Sequence, residues 1–177
     1  MGAWGITAFE SDSGLDGIGM IRAQMDGSGK LDLAKLIPLL DTGASTYGYS
    51  HTKHMGLAEL MIKFADHDLK HIDLDDDPPA VRFDHVTSFT ADKESIQWIK
   101  QHLAELLKDA RAEAPARLKY EGTYGGWFAE KDWIGWQKHM ENLISRMDEL
   151  LQSPGETVDL AHYSPKQVHY QEPTMGM

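Results

Sequence analysis

Two long stretches of helical periodicity constrain the fold of this chain more than any other feature of its sequence. Over residues 96–110 and 133–151, apolar side chains recur every three or four positions, which places them on one face of an α-helix. The two stripes consist of Ile96, Ile99, Leu103, Leu106, Leu107 and Ala110, and of Trp133, Trp136, Met140, Leu143, Ile144, Met147, Leu150 and Leu151. Neither helix can bury its stripe alone, so we expect the two to pack against each other, with Thr90 as the N-cap of the first.

Three shorter segments also have helical signals. A first helix is expected from Asp12 or Ser13, a second over about residues 31–40, and a third from about His54 to near Asp68. The sequence therefore predicts a mostly α protein with a single compact bundle of four or five helices.

Strand signals are weak, and the end of the chain is polar. Residues 81–85 alternate apolar and polar side chains, but one short strand does not make a sheet. Residues 153–177 are rich in polar residues and proline. We therefore expect a helical domain over residues 1–152, followed by an extended, irregular C-terminal tail over residues 153–177.

The amino-terminal residues are apolar where domain termini are usually polar and frayed, so we expect Trp4 and Phe9 to pack beneath the helices. The stretch resembles the opening of an uncharacterised bacterial domain family whose members begin Met-Gly-x-Trp-Gly. The matching positions are Gly2, Trp4, Gly5, Phe9, Asp12 and Asp16. Ser11 and Gly14 stand where that family usually has Asn and Ala, and the resemblance implies no activity.

Charge and composition narrow the function classes. The net charge of −11 and the scattered Lys and Arg side chains disfavour binding to nucleic acid or to an anionic membrane. The same acidity suits a basic protein partner, because opposite fields raise the association rate, but it also serves solubility alone. The chain has no cysteine, no secretory signal at its start and no apolar run near the ~20 residues that span a bilayer, so we expect a cytoplasmic protein.

Two segments have the composition of metal sites. Residues 26–32 resemble the turn of a calcium-binding EF-hand, but Lys35 then occupies the position of a bidentate glutamate, so we expect a polar turn between helices. His67 and His71 are four residues apart and would face one side of a continued helix, with oxygen ligands available from the aspartates that follow. A solvated acidic loop and an acidic patch for a basic partner are the alternatives for residues 66–77. No cofactor is expected.

The candidate partner-binding residues are acidic or aromatic. Trp98 lies opposite the apolar stripe of its helix, so either that helix is buried on two sides or the indole faces solvent. Tryptophan and tyrosine anchors dominate binding hot spots, and exposed acids steer association. The predicted contact surface consists of Asp73, Asp75, Asp76, Asp77, Trp98, Tyr124 and Trp127.

No motif for nucleophilic catalysis is present, since the segment around Ser45 lacks the Gly-x-Ser-x-Gly spacing. The sequence therefore favours a non-catalytic acidic interaction protein that binds a cationic partner, as a bacterial toxin-neutralising immunity protein does. The alternative is a metal-dependent enzyme that uses His67, His71 and nearby aspartates. Dispersed histidines and acids can also converge in a fold, so the missing motifs lower the enzyme interpretation without excluding it.

Overall fold

Helices make up most of the structure, a computed structural model that describes residues 7–10, 12–40, 49–70, 72–73, 75–118 and 130–164. The described α-helices are α1 (Asp12–Gln24), α2 (Leu33–Leu40), α3 (Tyr49–Ala65), α4 (Lys93–Leu118) and α5 (Glu130–Leu151). The predicted mostly α, compact fold is confirmed. None of the described helices combines the length and the apolar character that a membrane crossing needs.

The two long helices pack against each other as their apolar stripes predict, and α1 packs against α3. Ile99 and Leu103 of α4 and Trp136 and Met140 of α5 are all buried. The most enclosed helix is α3, whose apolar side chains from Met55 to Ala65 lie almost entirely in the core. Each large apolar side chain buried in this way stabilises the fold by about 1.5–3 kcal/mol.

A small sheet, which we did not predict, lies beside the helices. Strands β1 (Lys30–Asp32), β2 (Ser88–Asp92) and β3 (Thr157–Asp159) pair in the order β1-β2-β3. The β1 and β2 strands are parallel, whereas β2 and β3 are antiparallel. Three-residue outer strands are too short for their alternation to be recognised, and their partners are distant in the sequence.

The predicted start of α4 and the 81–85 segment both need correction. Thr90 lies within β2, and the helix is capped by Asp92, whose Oδ2 accepts a hydrogen bond of 3.0 Å from Ser95 N. Residues 81–85 lie instead in two 3-10 turns, Pro79–Val81 and Phe83–His85. A 3-10 turn spaces its side chains every three residues, so a five-residue alternation does not distinguish it from a strand.

Residues 153–164, which we had assigned to the tail, belong to the packed structure. Val158, Leu160 and Tyr163 are buried, and the backbone N–H of Phe89 donates to Asp159 Oδ1 over 2.8 Å. The strand pairing of β3 with β2 explains this order, because it satisfies backbone groups that a free tail leaves to water. Residues 165–177 lie outside the described part of the chain.

Phe9 packs against the core as predicted, but its turn contacts mainly α1 and α3 and not the two long helices beneath which we expected it. Residues Ala8–Glu10 form a 3-10 turn, the amino-terminal turn, in which Ala8 is fully buried and Phe9 packs against the core. Gly14 of α1 permits this contact, since a Cβ atom at that position would lie 1.9 Å from the carbonyl oxygen of Ala8. Trp4 lies outside the described residues, so its burial stays a prediction.

Candidate functional sites

The acidic segment, residues 66–84, holds seven aspartates but only two cationic side chains, Lys70 and Arg82. We predicted that Asp73 contacts a partner. Its side chain is only 4% exposed, so it does not face a partner. The Oδ1 atom accepts a hydrogen bond from Phe83 N over 2.8 Å, and Oδ2 accepts one from Asp84 N over 2.9 Å. Asp73 therefore holds the Phe83–His85 turn, and a buried carboxylate needs such donors.

Arg22 of α1 completes this anchor. Its guanidinium donates to Asp73 Oδ1 and to the carbonyl of Val81, both over 2.9 Å, and also to the carbonyl of Ile72. It lies 3.4 Å from Asp77 Oδ2, and its Cζ atom is 4.4 Å from the centroid of the Phe83 ring. Asp77 is thus half-buried in an ion pair.

Asp75 and Asp76 are exposed, unlike the two aspartates that flank them. We call this pair the acidic patch. Of the four aspartates predicted to meet a partner, these two are exposed and their role stays a prediction, whereas the run as a whole does not form one solvated face.

Two further aspartates of the acidic segment form ion pairs with arginine. Arg146 Nη1 donates to Asp66 Oδ2 over 3.1 Å, and hydrogen bonding to Asp66 raises the pKa of Arg146. Arg82 Nη2 donates to Asp84 Oδ2 over 2.7 Å, and this bonding holds the pKa of the Asp84 carboxyl below its ordinary value. Hydrogen bonds to the charged form of an acid have this effect.

Trp98 is both partly packed and partly exposed. Its indole is 39% exposed and stacks on the imidazole of His102, with ring centroids 4.8 Å apart and an interplanar angle of 12°. One edge meets His54, which is 1% exposed and whose ring centroid is 5.1 Å away. We call Trp98 and His102 the aromatic patch. We predicted either that α4 is buried on two sides or that the Trp98 indole faces solvent. The side of α4 that carries Trp98 is in fact partly buried.

The acidic patch and the aromatic patch do not form one compact surface. Asp73 is tied to Phe83, whose ring lies 6.3 Å from that of Phe64 near the end of α3. Trp98 instead contacts His54, ten residues earlier in that helix, or about 15 Å along its axis. The other two predicted aromatic residues, Tyr124 and Trp127, lie outside the described part of the chain.

The predicted metal pair, His67 and His71, does not lie on one helix. The α3 helix ends at Ala65, and His67 has a left-handed backbone with φ 57°. Its Nε2 lies 2.7 Å from the carbonyl oxygen of Tyr163, whereas His71 is outside the described residues. Within the described ranges, no group of three or more His, Cys, Asp or Glu side chains is arranged to hold a metal ion.

The 26–32 segment lies between two helices, as predicted: it forms a polar turn after α1, and its last three residues are strand β1, directly before α2 begins at Leu33. Hydrogen bonds from Ser28 lower the pKa of the Asp26 carboxyl. Gly27 and Gly29 have φ values of 84° and 76°, in the left-handed region that glycine tolerates best. The local bonds of Asp26 explain the turn without a calcium ion.

A cleft that the sequence did not predict lies between α3, α5 and the amino-terminal turn, with a volume of about 230 Å³. At its wall, His139 Nε2 lies 2.8 Å from Glu59 Oε2, across 80 residues of sequence. The two side chains are 17% and 6% exposed, respectively. We call this cleft the His139 cleft, since it joins a buried carboxylate to an imidazole.

The Glu59 carboxylate also holds the amino-terminal turn. It accepts hydrogen bonds from Ala8 N over 2.7 Å and from Phe9 N over 3.2 Å. A sequence signal for this site did exist, because Glu59 interrupts a run of core residues in α3. Charged residues are almost never buried without a partner, so an acid within an apolar run indicates a distant donor.

No protein-family model, curated protein or solved structure matches this chain. The amino-terminal resemblance therefore stays a prediction, and function has to be argued from the sites themselves.

Proposed function

We propose that this chain is an acidic interaction protein that binds a basic protein partner, in the manner of a toxin-neutralising immunity protein. The observation that carries the proposal is the acidic patch. Asp75 and Asp76 are exposed, and they make no ion pair within the described part of the chain. A basic partner would supply the cations that they lack.

Two arginines that contact the acidic segment are already neutralised within the chain. Arg22 is engaged by Asp73 and Asp77, and Arg82 by Asp84. The negative field of the patch is therefore not cancelled locally, which supports fast association with a positively charged surface. The anchor formed by Arg22 and Asp73 also restrains the loop, which lowers the entropy lost on binding.

The aromatic patch supports a second contact. Because Trp98 stacks on His102, its indole is already restrained in the free protein and loses little freedom at an interface. Truncation of a desolvated tryptophan commonly costs about 2 kcal/mol or more of binding free energy. We therefore assign association to the acidic patch and residence time to the aromatic patch. The two patches are separated by about 15 Å along the axis of α3, so a partner that contacts both patches has to span that distance.

The test begins with capture of basic proteins from a lysate of the source cell, with the full chain as bait. Binding kinetics to the captured protein are then measured for Asp75→Asn/Asp76→Asn. We expect association to slow by roughly threefold to tenfold at low salt, with a weaker effect at high salt. Asp16→Asn/Asp109→Asn removes the same charge from exposed helix positions and is the matched control.

Dissociation tests the aromatic patch separately. Trp98→Ala should speed dissociation, whereas Ile134→Ala, which truncates a 64% exposed apolar side chain on α5, should not. Equal effects of the two charge-neutralising double variants would contradict a specific acidic patch. Failure to capture any basic protein would contradict the proposed function as a whole.

A further inference from the structure

We propose that the His139 cleft is a hydrolytic site for small uncharged esters, in which His139 is the general base and Glu59 its positioning residue. None of the residues that line the cleft belongs to the two patches assigned to a protein partner, and the chemistry of the cleft needs no partner. The proposal depends on the hydrogen-bond geometry of the imidazole, the cleft volume and the groups that line it.

The bond to Glu59 fixes which nitrogen of His139 carries a proton. A carboxylate only accepts hydrogen bonds, so the Nε2 atom that lies 2.8 Å from it is the donor. In the neutral imidazole, Nδ1 then holds a lone pair. No described residue forms a hydrogen bond with Nδ1, and the side chain lines the cleft. A carboxylate paired with an imidazole whose other nitrogen holds a lone pair is the arrangement of a general base.

Two hydrogen-bond donors line the same cleft. Lys63 lies one helical turn from Glu59 on α3, and Asn142 lies one turn from His139 on α5, so each shares the face of its neighbour. The Lys63 ammonium lies 5.2 Å from the Phe9 ring centroid and makes no ion pair within the described residues. An ammonium and an amide can stabilise the oxyanion that forms when an acyl group is attacked.

Volume and charge define the substrate class. About 230 Å³ is below the roughly 300–1,000 Å³ of sites for drug-sized ligands, so the cleft takes a small molecule. Lys63 and Asp68 line it with opposite charges, and Asp66 is paired with Arg146, so the lining gives no advantage to a charged substrate. Small uncharged esters satisfy both limits.

The reaction is hydrolysis with water as the nucleophile. The water oxygen bonds to the ester carbonyl carbon while one of its protons passes to Nδ1 of His139. The oxyanion collapses, the bond to the alkoxy group breaks, and that group takes the proton from Nδ1. Water and ester become carboxylic acid and alcohol, and no electrons are exchanged.

The probe is p-nitrophenyl acetate, hydrolysed by the full chain and by two matched variants. His139→Gln keeps an amide that can donate to Glu59, and we expect a rate loss on the order of 100-fold. His162→Gln removes another histidine, whose side chain is 70% exposed and 4.0 Å from Asp159, and should keep the rate within about twofold of the parent chain, because this histidine lies outside the cleft. The proposal is overturned if His139→Gln retains the parent rate, if both variants lose it equally, or if the parent is no faster than free imidazole.

A second measurement covers the case in which His139→Gln fails to fold. The parent chain is treated with diethyl pyrocarbonate, and modified histidines are identified by mass spectrometry. Hydrolysis should fall in proportion to modification of His139. Loss that follows His162 instead would overturn the proposal.

Glu59 is tested by a readout that a purely structural role would leave unchanged. Imidazole ¹⁵N spectra should show the proton of neutral His139 on Nε2 in the parent and a mixture of tautomers in Glu59→Gln, with slower hydrolysis. An unchanged tautomer in that variant would refute the positioning role. The assays contain no partner protein, so their failure leaves the interaction proposal standing.

Discussion

Glu59 and Asp73 are two buried carboxylates that do the same structural work at different places in the molecule. Each accepts hydrogen bonds from two consecutive backbone N–H groups at the start of a 3-10 turn. Glu59 holds the Ala8–Glu10 turn, and Asp73 holds the Phe83–His85 turn. Each also takes a third donor from a side chain on another element.

The two buried carboxylates differ in the side chain that donates the third hydrogen bond. Asp73 has Arg22, which is always charged and which also donates to two backbone carbonyls. Glu59 has His139, which can exist without a charge and whose second nitrogen makes no bond with a described residue. The carboxylate therefore has a structural role at Asp73. At Glu59 its imidazole partner keeps a nitrogen that can take part in a reaction.

The largest expected effect is that of Asp73→Asn. The substitution keeps the side-chain size but leaves Arg22 charged, half-buried and without its main partner, which typically costs about 3–5 kcal/mol. Urea unfolding at neutral pH measures this loss. Asp76→Asn, an exposed neighbour, should stay within about 0.5 kcal/mol of the parent. A loss below about 1 kcal/mol for Asp73→Asn would mean that Asp77 alone can hold Arg22.

Glu59→Gln should destabilise the protein less than Asp73→Asn. The amide still accepts one backbone hydrogen bond, and His139 can stay neutral, so no unpaired charge is left buried. We expect a loss of about 1.5–3 kcal/mol, the range for hydrogen bonds to a charged group. The same urea measurement applies. An equal or larger loss than that of Asp73→Asn would remove the distinction between the two anchors.

A pair of glycine substitutions in α1 tests how closely the amino-terminal turn is docked. A Cβ atom on Gly14 meets the Ala8 backbone, whereas one on Gly19 meets nothing within 4 Å. Gly14→Ala should therefore cost about 1–2 kcal/mol net, since overpacking outweighs the gain in helix propensity. Gly19→Ala should stabilise by roughly 0.5–1 kcal/mol.

Hydrogen exchange localises the effect of Gly14→Ala. The amides of Ala8 and Phe9 should lose protection in that variant and keep it in Gly19→Ala, because only the first displaces the turn from Glu59. Unchanged protection in both variants would show that the turn can shift without losing its anchor.

The long elements could be predicted from the sequence, and the short ones could not. Stripes such as the one from Trp133 to Leu151 repeat often enough to reveal a helix, and α5 covers Glu130–Leu151. The sheet depends on two three-residue outer strands and a five-residue central one, and its pairs, such as Leu31 with Phe89 and Ala91 with Val158, are far apart in the chain. Such pairing is set by tertiary contacts, which local pattern does not contain.

The candidate sites show a second limit of prediction from the sequence. Asp73 and Asp75 are the same residue type two positions apart, yet one is buried beside Arg22 and the other is exposed. The contacts of Asp73 with Arg22 of α1 and with the Phe83–His85 turn decide this, and the sequence next to Asp73 does not reveal them. Glu59 and His139 meet across 80 residues. The acid within the apolar run of α3 indicates a distant donor, but the pattern of α5 does not identify that donor as His139. The continued helix that would place His67 and His71 on one side does not form, because α3 ends at Ala65.

The smallest expected effect concerns Asp84, whose backbone N–H binds Asp73 and whose carboxylate binds Arg82. Bonding to Arg82 lowers the pKa of Asp84 from its ordinary 3.8 in the folded protein. Stability from this pair is therefore present above the unfolded value and lost as the pH falls through the lower folded value. Because the carboxylate is 43% exposed, the loss should be slight and weaker in high salt.

Carboxyl ¹³C titration should place the Asp84 midpoint below 3.8, and Asp84→Asn should flatten the urea-unfolding profile between about pH 4 and 2. A midpoint at or above 3.8 would show that Arg82 does not favour the charged carboxylate, and the Phe83–His85 turn would then depend on Asp73 alone.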